Sequence, residues 1–273
     1  MKPNLFVVGS PKCGTTFLCE SLKNHPQLFF PKIKELNYFS YKHLKEQSYY
    51  FDYKTEKIKS YLKHYKSSKN QKYLIDASVS YFTFEDIPAK IQEFNPNSKI
   101  IIMVRDPYKR AYSHYLMDKR MGYAKKDFLY YLKQKDSFHF NQYISNSLYS
   151  KHYKNFLMSF DAKNIKIINL DNLENEFKSI FEFLKIMPIK INYESTINEN
   201  KSAKNILGKL TLKYRNFVIR VKPYIPSFLN SKLKKILFSK PAKSSLSVQE
   251  LKLLKCLIEK DYKSFNKSLN KIK

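Results

Sequence analysis

The sequence predicts a three-layer α/β fold: a central parallel sheet flanked by helices, with further helical segments toward the C-terminus. Two observations carry this. Short apolar runs alternate with segments whose apolar residues recur at spacings of three and four, and strands alternating with helices build a parallel sheet. The first run, LFVVG, passes through a glycine-containing turn directly into a helical pattern. A chain of 273 residues can bury one substantial core. With no internal repeat and no long low-complexity linker, a single domain over 1–273 is expected.

Residues 4–9 read as a buried strand, and 14–25 as a helix that turns Phe17, Leu18 and Leu22 inward and stops at His25-Pro26. Residues 54–65 look helical. KYLIDAS, at 72–78, reads as a short strand, followed by a helix over about 85–94. SKIIIMVRD, at 98–106, is the clearest buried strand. Pro107 then occupies the first turn of a helix running to about 120, a position proline tolerates. Residues 149–160 read as a helix, 165–170 as a strand and 173–186 as a helix with Phe177, Ile180, Phe181 and Leu184 on one face. A helical insertion is expected over about 205–241. A last helix, about 247–269, carries Leu251, Leu254, Ile258, Tyr262, Phe265 and Leu269 in one core-facing stripe.

Composition narrows the function classes. Hydrophobic residues make up 43%, a globular proportion. No run of about 18 apolar residues could form a membrane span, and the N-terminus lacks a signal-peptide layout, so a cytoplasmic protein, or a fragment lacking a targeting segment, is expected. Cys13, Cys19 and Cys256 form neither a disulfide framework nor a zinc pattern. Cys13 lies in the first turn, where a thiol is either activated by a helix N-terminus or simply packed as a small filler; packing is the favoured reading. The net charge of +28 calls for anionic partners. Only five of the 51 basic residues are arginine, however, and specific nucleic-acid readers favour arginine. Three of the five, Arg105, Arg110 and Arg120, fall within one short window.

The turn itself, GSPKCGTT, is a phosphate cradle with an altered plan. Gly9 and Gly14 keep the spacing of a nucleotide-triphosphate loop, but Thr15 stands where its lysine belongs, and Lys12 lies inside the loop. The fold is therefore P-loop-like rather than a standard P-loop. Backbone N–H groups of residues 12–16 at a helix start attract an anion, the hydroxyls of Thr15 and Thr16 add donors, and Lys12 adds a full charge. A triphosphate also needs a magnesium-binding carboxylate at a strand end. Asp106 follows such a strand but sits beside Arg105, so no metal is expected. In IIMVRDPYKRAYSHY, Arg105 leaves the strand and Ser113 follows two turns into the helix, an axial reach of roughly 9–12 Å. Arg105 and Ser113 could clamp a second phosphate, with Arg110 as a solvated or ion-pairing residue.

Together these two motifs resemble the sulfotransferases that use 3′-phosphoadenosine 5′-phosphosulfate (PAPS). GSPKCGTTFLCESLKNHPQL is similar to their 5′-phosphosulfate loop, and VRDPYKRAYSHY to their 3′-phosphate motif. PKIKELNYFS resembles a segment of the heparan-type carbohydrate sulfotransferases in which the glutamate is the catalytic base. Weaker likeness continues through IKIINLDNL, and the C-terminal stretch is typical of bacterial members. The resemblance implies PAPS as co-substrate without metal. It implies cofactor contacts from Ser10, Pro11, Lys12, Cys13, Gly14, Thr15, Thr16, Arg105 and Ser113. Lys201 and Ser202 join them, since KSAK at 201–204 is similar to the family's late basic loop. It also implies catalysis by Glu35, the base, and Lys12, which reaches the leaving-group oxygen. Lys32 and Lys34 flank Glu35 and would keep it ionised if they point toward it; His43 and His114 are rival bases. One departure is plain: DASVSYF replaces the family's Glu-Lys-Ser/Thr pattern, so Ala77 stands where a lysine is usual.

The implied reaction moves a sulfuryl group to a hydroxyl or amine, with a carbohydrate or glycan the foremost acceptor. A P-loop kinase or ATPase and a non-catalytic polyanion binder are the alternatives. No specific nucleic-acid partner is expected. The basic, aromatic-rich stretch 205–241 could meet the inner face of an anionic membrane, or pack as an ordinary helical insertion.

Overall fold

A computed structural model describes residues 1–45, 55–191, 193, 202–203, 238–239 and 245–270. Five strands form one all-parallel sheet: β1 (Leu5–Gly9), β2 (Leu28–Phe29), β3 (Tyr73–Asp76), β4 (Lys99–Val104) and β5 (Ile165–Asn169). Their order is β2-β3-β1-β4-β5, with Leu5 level with Ile75 on one side and Lys99 on the other. The alternation of strand and helix thus gives the parallel sheet and flanking helices that the sequence predicts. A separate two-stranded piece pairs β6 (Ser202–Ala203) with β7 (Phe238–Ser239) antiparallel.

β1 is buried along its whole length, as a central parallel strand covered on both faces must be. From it the chain turns to β2 and β3 on one side, then crosses to β4 and β5 on the other. Its carboxyl end lies where these crossovers diverge, and ligands of open α/β sheets bind there. α1 (Thr15–Leu22) and α4 (Ile87–Phe94) follow β1 and β3, and α5 (Pro107–Met121) follows β4. Pro107 starts α5 with its φ already helical, and the Asp106 carboxylate caps the helix by accepting from the Lys109 amide at 2.8 Å. The sequence reading places α1, α4, α5 and the strands β1, β3, β4 and β5 to within a few residues.

Several short elements have no clear periodic signal: β2, α2 (Tyr41–Leu44), the 3₁₀ turn Val79–Phe82, α6 (Phe128–Lys133) and α7 (Phe138–Tyr143). The helix expected over 54–65 narrows to α3 (Ile58–Lys63). The chain continues through α8 (Tyr149–Ser159) and α9 (Leu173–Leu184) and ends in α10 (Val248–Asn270). The insertion expected over 205–241 lies, apart from 238–239, outside the described residues.

The main core wraps both sheet faces, with Phe6, Phe82, Ile100, Ile102, Phe156 and Ile180 at essentially zero exposure. A smaller cluster joins α5, α6 and α7 around Tyr115, Phe128 and Tyr143. Arg110 corrects its sequence reading. It is not solvated but fully buried between these parts. Its Nε donates to Ser147 Oγ (2.7 Å), and its Nη2 donates to the carbonyls of Gln142 (2.6 Å) and Tyr143 (2.8 Å). The guanidinium fork satisfies chain-turn carbonyls that a helix alone would leave open.

Candidate active site

The carboxyl edge of the sheet gathers residues from every crossover. The loop after β1 supplies Gly9–Gly14, the segment after β2 supplies Lys34, Glu35 and Asn37, the end of β3 supplies Asp76 and Ser78, and the end of β4 supplies Arg105. The β1 loop is held by the Ser10 amide donating to the Met103 carbonyl (2.7 Å) and the Cys13 amide donating to the Ser10 carbonyl (3.2 Å). Two glycines are needed to make it. Gly9 has φ +139°, and a Cβ there would lie 2.8 Å from both Phe82 Cβ and the Val79 carbonyl oxygen. Gly14 has φ +82°, and a Cβ would meet Leu170 at 2.5 Å. Side chains at these positions would be strained as well as crowded. Gly14 leads into α1, whose first-turn amides have no carbonyl a turn earlier to bind. That end of the helix is suited to an anion.

The side chains around the loop divide into wall and lining. Ser10 is buried and its hydroxyl lies 3.5 Å from the Asn146 carbonyl. Cys13 is fully buried, 3.5 Å from the Tyr149 hydroxyl. Burial pushes the Cys13 thiol pKa up, the environment of a packed thiol. Thr16 is exposed and Pro11 half-buried. Lys12, with φ 71°, rests its ammonium on Met117 Sδ of α5 at 3.4 Å. Burial chiefly, with Arg120, Arg110 and Arg105 pushing the same way against Asp118, lowers its pKa to about 8.

The cation that reaches the α1 end is a different lysine. Lys34 Nζ donates to Thr15 Oγ1 (3.2 Å) and to Glu35 Oε1 (2.9 Å), whereas Lys32 is exposed. Burial, the largest single influence, would lower the Lys34 pKa, but the Glu35 carboxylate together with Cys19 and Glu20 outweighs it and holds the amine above its ordinary value. Glu35 itself stands on a fixed turn. Asn37, in left-handed conformation (φ 52°), donates its side-chain amide to the Glu35 carbonyl (3.3 Å) and its backbone amide to Ser78 Oγ (3.0 Å). Ser78 Oγ donates to Asp76 Oδ1 at 2.6 Å, and Tyr61 and Tyr81 donate to Asp76 Oδ2 at 2.7 and 2.9 Å. Asp76 is fully buried, and desolvation raises its pKa to about 6 against these three hydrogen bonds. The sequence reading marks Asp76–Ser78 only as a departure from a pattern. Its signal, a lone Asp inside an apolar strand followed by Ser, was present but pointed to no partner.

On the β4 side, Arg105 Nη1 donates to the Lys12 carbonyl (3.3 Å), while its buried Nε has no hydrogen-bond partner. A buried guanidinium N–H without an acceptor is costly, and an anion would satisfy it. The Tyr149 hydroxyl of α8 lies against Cys13 of the β1 loop. Ser113 is half-buried on α5, one turn before Met117 and therefore on the same face. Of the rival bases, His114 is buried within 3.4 Å of Arg110 Nη1, and burial together with Arg110 holds it neutral. His43 stacks on Phe84 and pairs with Asp86 at 2.8 Å. Asp106 caps α5 through Oδ1. Among the described residues no cluster of His, Cys, Asp and Glu could hold a metal ion. Lys201 lies outside the described residues, and Ser202 enters only through its backbone pairing in β6.

Known proteins resemble this chain. Heparan sulfate glucosamine 3-O-sulfotransferase 5 of Mus musculus is 26% identical over 211 residues, covering 73% of this chain and 58% of its own length. Carbohydrate sulfotransferase 15 of Homo sapiens is 22% identical over 264 residues, covering 74% and 47%. The chain thus spans about half to three-fifths of these curated relatives. Among solved structures, a sulfotransferase from Alicyclobacillus acidocaldarius superposes with a TM-score of 0.65 at 22% identity, covering 82% of this chain and 96% of that one, a likeness of fold. The family profile described as "Sulfotransferase domain" matches residues 2–237. That match covers most of the sequence, including the β1 loop, the Glu35 turn and the Arg105 window, and the chain belongs to the sulfotransferase domain family.

Proposed function

We propose that this chain, as one domain over 1–273, transfers the sulfuryl group of PAPS to a hydroxyl or amine of a carbohydrate acceptor. The observation that carries the reading is the placement of a carboxylate beside an anion cradle: Glu35 is two hydrogen bonds from the first residue of α1, through Lys34 and Thr15. The residues present fit the nucleotide. The first-turn amides of α1 suit its 5′ end, and the unsatisfied Arg105 Nε, with Ser113 on the adjoining helix, suits its 3′-phosphate. When bound, PAPS supplies the sulfuryl group. Glu35 accepts the acceptor's proton, the acceptor oxygen or nitrogen bonds to sulfur, and the sulfur–oxygen bond to the phosphate breaks with its electron pair left on the phosphate oxygen. Lys12 and the loop amides stabilise that developing charge, a contribution that is usually large in such sites. A positioned base contributes about 10²–10⁴-fold. The mouse relative's name specifies a heparan sulfate glucosamine acceptor, and that supports a glycan here.

Thermal shift with 3′-phosphoadenosine 5′-phosphate, 5′-AMP and ATP tests the reading. The bisphosphate should stabilise most, without magnesium, and Glu35→Gln should keep that shift while losing transfer. Preference for ATP with magnesium, or full transfer by Glu35→Gln, would overturn it. The described residues contain no helix long and apolar enough to cross a membrane. Contact with an anionic membrane is assigned to 205–241 on composition alone, and pelleting with anionic against neutral vesicles tests it.

A further inference from the structure

We infer that Lys34 is a positioning residue that ties the base to the anion cradle and hands its charge from one to the other during transfer. This deepens the reading above and rests on it for the catalytic part. The geometry is specific. Lys34 and Glu35 are adjacent in sequence, yet their side chains meet at 2.9 Å while the same ammonium reaches Thr15 Oγ1 at 3.2 Å. Thr15 is the first residue of α1 and is buried, so the contact spans the loops after β1 and β2. The lysine first expected at this end of the helix, Lys12, lies instead against Met117. The groups facing Lys34 are Glu35 on its own turn, Thr15 and Cys19 on α1, and Glu20 farther along α1. Among the described residues, the acidic side chain in direct contact with Lys34 is Glu35, at 2.9 Å.

The arrangement has a consequence for the reaction. While Glu35 carries its charge, Lys34 is neutralised by it and the carboxylate is held at a fixed distance from the helix start. When Glu35 takes up the acceptor's proton, that neutralisation ends. In the same step negative charge grows on the phosphate oxygen at the cradle. The ammonium, still bonded to Thr15, then acts on that charge. A lysine paired to the base in the ground state stabilises the transition state more than the starting complex, the difference that accelerates a reaction. No atom or electron is added to the balance already given; Lys34 keeps its proton throughout.

Two measurements test this, one independent of turnover. In the free protein, pulse acetylation read residue by residue by mass spectrometry should find the Lys34 amine protected, and Glu35→Gln, which removes the charge that holds the amine protonated, should raise its reactivity above the wild-type rate. An unchanged rate at Lys34 overturns the pairing, whether or not the chain transfers sulfuryl groups. With an active enzyme, Lys34→Met should lower kcat about 10²–10³-fold, as loss of one oxyanion-stabilising donor does. The donor KM should change little, and Lys34→Arg should recover part of the loss. A Lys34→Met enzyme that retains wild-type kcat overturns the charge hand-over while leaving the function standing. Equal loss in Lys34→Met and Lys34→Arg, together with a fallen melting temperature, assigns Lys34 a structural part only and also overturns it. Absence of transfer in the wild type rejects the function, and the acetylation result still decides the pairing.

Discussion

At Lys12 a single side chain carries a pH dependence that its sequence position does not announce. Its ammonium is half-buried against Met117 among arginines, and its pKa falls to about 8. An anion bound at the loop favours the protonated amine. Nucleotide affinity should therefore be level below the free-state value and weaken as pH rises through it, with a proton taken up on binding. Calorimetry at about pH 7 and about pH 9 should show a roughly tenfold loss, the fraction of amine left protonated one unit above its pKa. Lys12→Arg, which stays charged, should abolish the inflection; an inflection retained in that variant would assign the titration elsewhere. This residue also shows what sequence can and cannot supply. The glycines, Lys12, Glu35 and Arg105 are legible because backbone freedom and charge are properties of residue type. That Lys34 rather than Lys12 touches Thr15, and that Arg110 is buried, depends on side-chain paths set by residues distant in sequence.

Among the elements, the short turn after β2 depends on β3 more than on itself. Only two residues pair in β2, so little local structure holds the segment that carries Glu35. The Asn37–Ser78–Asp76 chain supplies the anchor, with Tyr61 of α3 and Tyr81 of the 3₁₀ turn closing on the same carboxylate. Three donors keep Asp76 bonded, but desolvation still raises its pKa from 3.8 to about 6. The sign follows from proton counts. Between those values the folded state binds more protons than the unfolded state, so this group's contribution to stability falls as pH rises from about 4 to about 6 and is flat beyond. A shift of that size corresponds to about 3 kcal/mol. Urea unfolding across that range should show the slope in the wild type and lose it in Asp76→Asn. Parallel profiles for the two proteins would mean that Asp76 is not titrating there. The long apolar strands and the amphipathic α9 are legible because period and burial coincide. β2, α6 and α7 are not, because elements of two to six residues hold by tertiary contacts of the kind Asp76 makes.

In the whole molecule, α10 joins parts that the sheet does not. Its stripe reaches both apolar clusters: Phe265 is buried in the main core, and Leu254 and Ile258 in the cluster around α5, α6 and α7. It also closes the start of α8, where Asp261 accepts from the Ser150 and Lys151 amides at 2.9 and 3.1 Å, a carboxylate at the positive end of a helix. The Phe265 ring lies 5.5 Å from that of Tyr149, and the Tyr149 hydroxyl lies against Cys13 of the β1 loop. The C-terminal helix, beyond the 2–237 match to the family profile, therefore buttresses the site through a single intervening helix. Phe265→Ala removes a buried aromatic ring and should cost about 3–5 kcal/mol. For a chain of this size each kcal/mol lowers the melting temperature by about 2–4 °C. The loss should also reach the site, so that 3′-phosphoadenosine 5′-phosphate binds Phe265→Ala more weakly than wild type at a temperature where both are folded. Met158→Ala, on the exposed side of α8 (79% exposed), should change stability by no more than about 0.5 kcal/mol and leave binding unaltered. If Phe265→Ala lost stability yet bound the nucleotide as tightly as wild type, α10 would support the core alone. Weakened binding in that variant, with Met158→Ala unaffected, would trace the path from Phe265 through Tyr149 to Cys13 and the β1 loop.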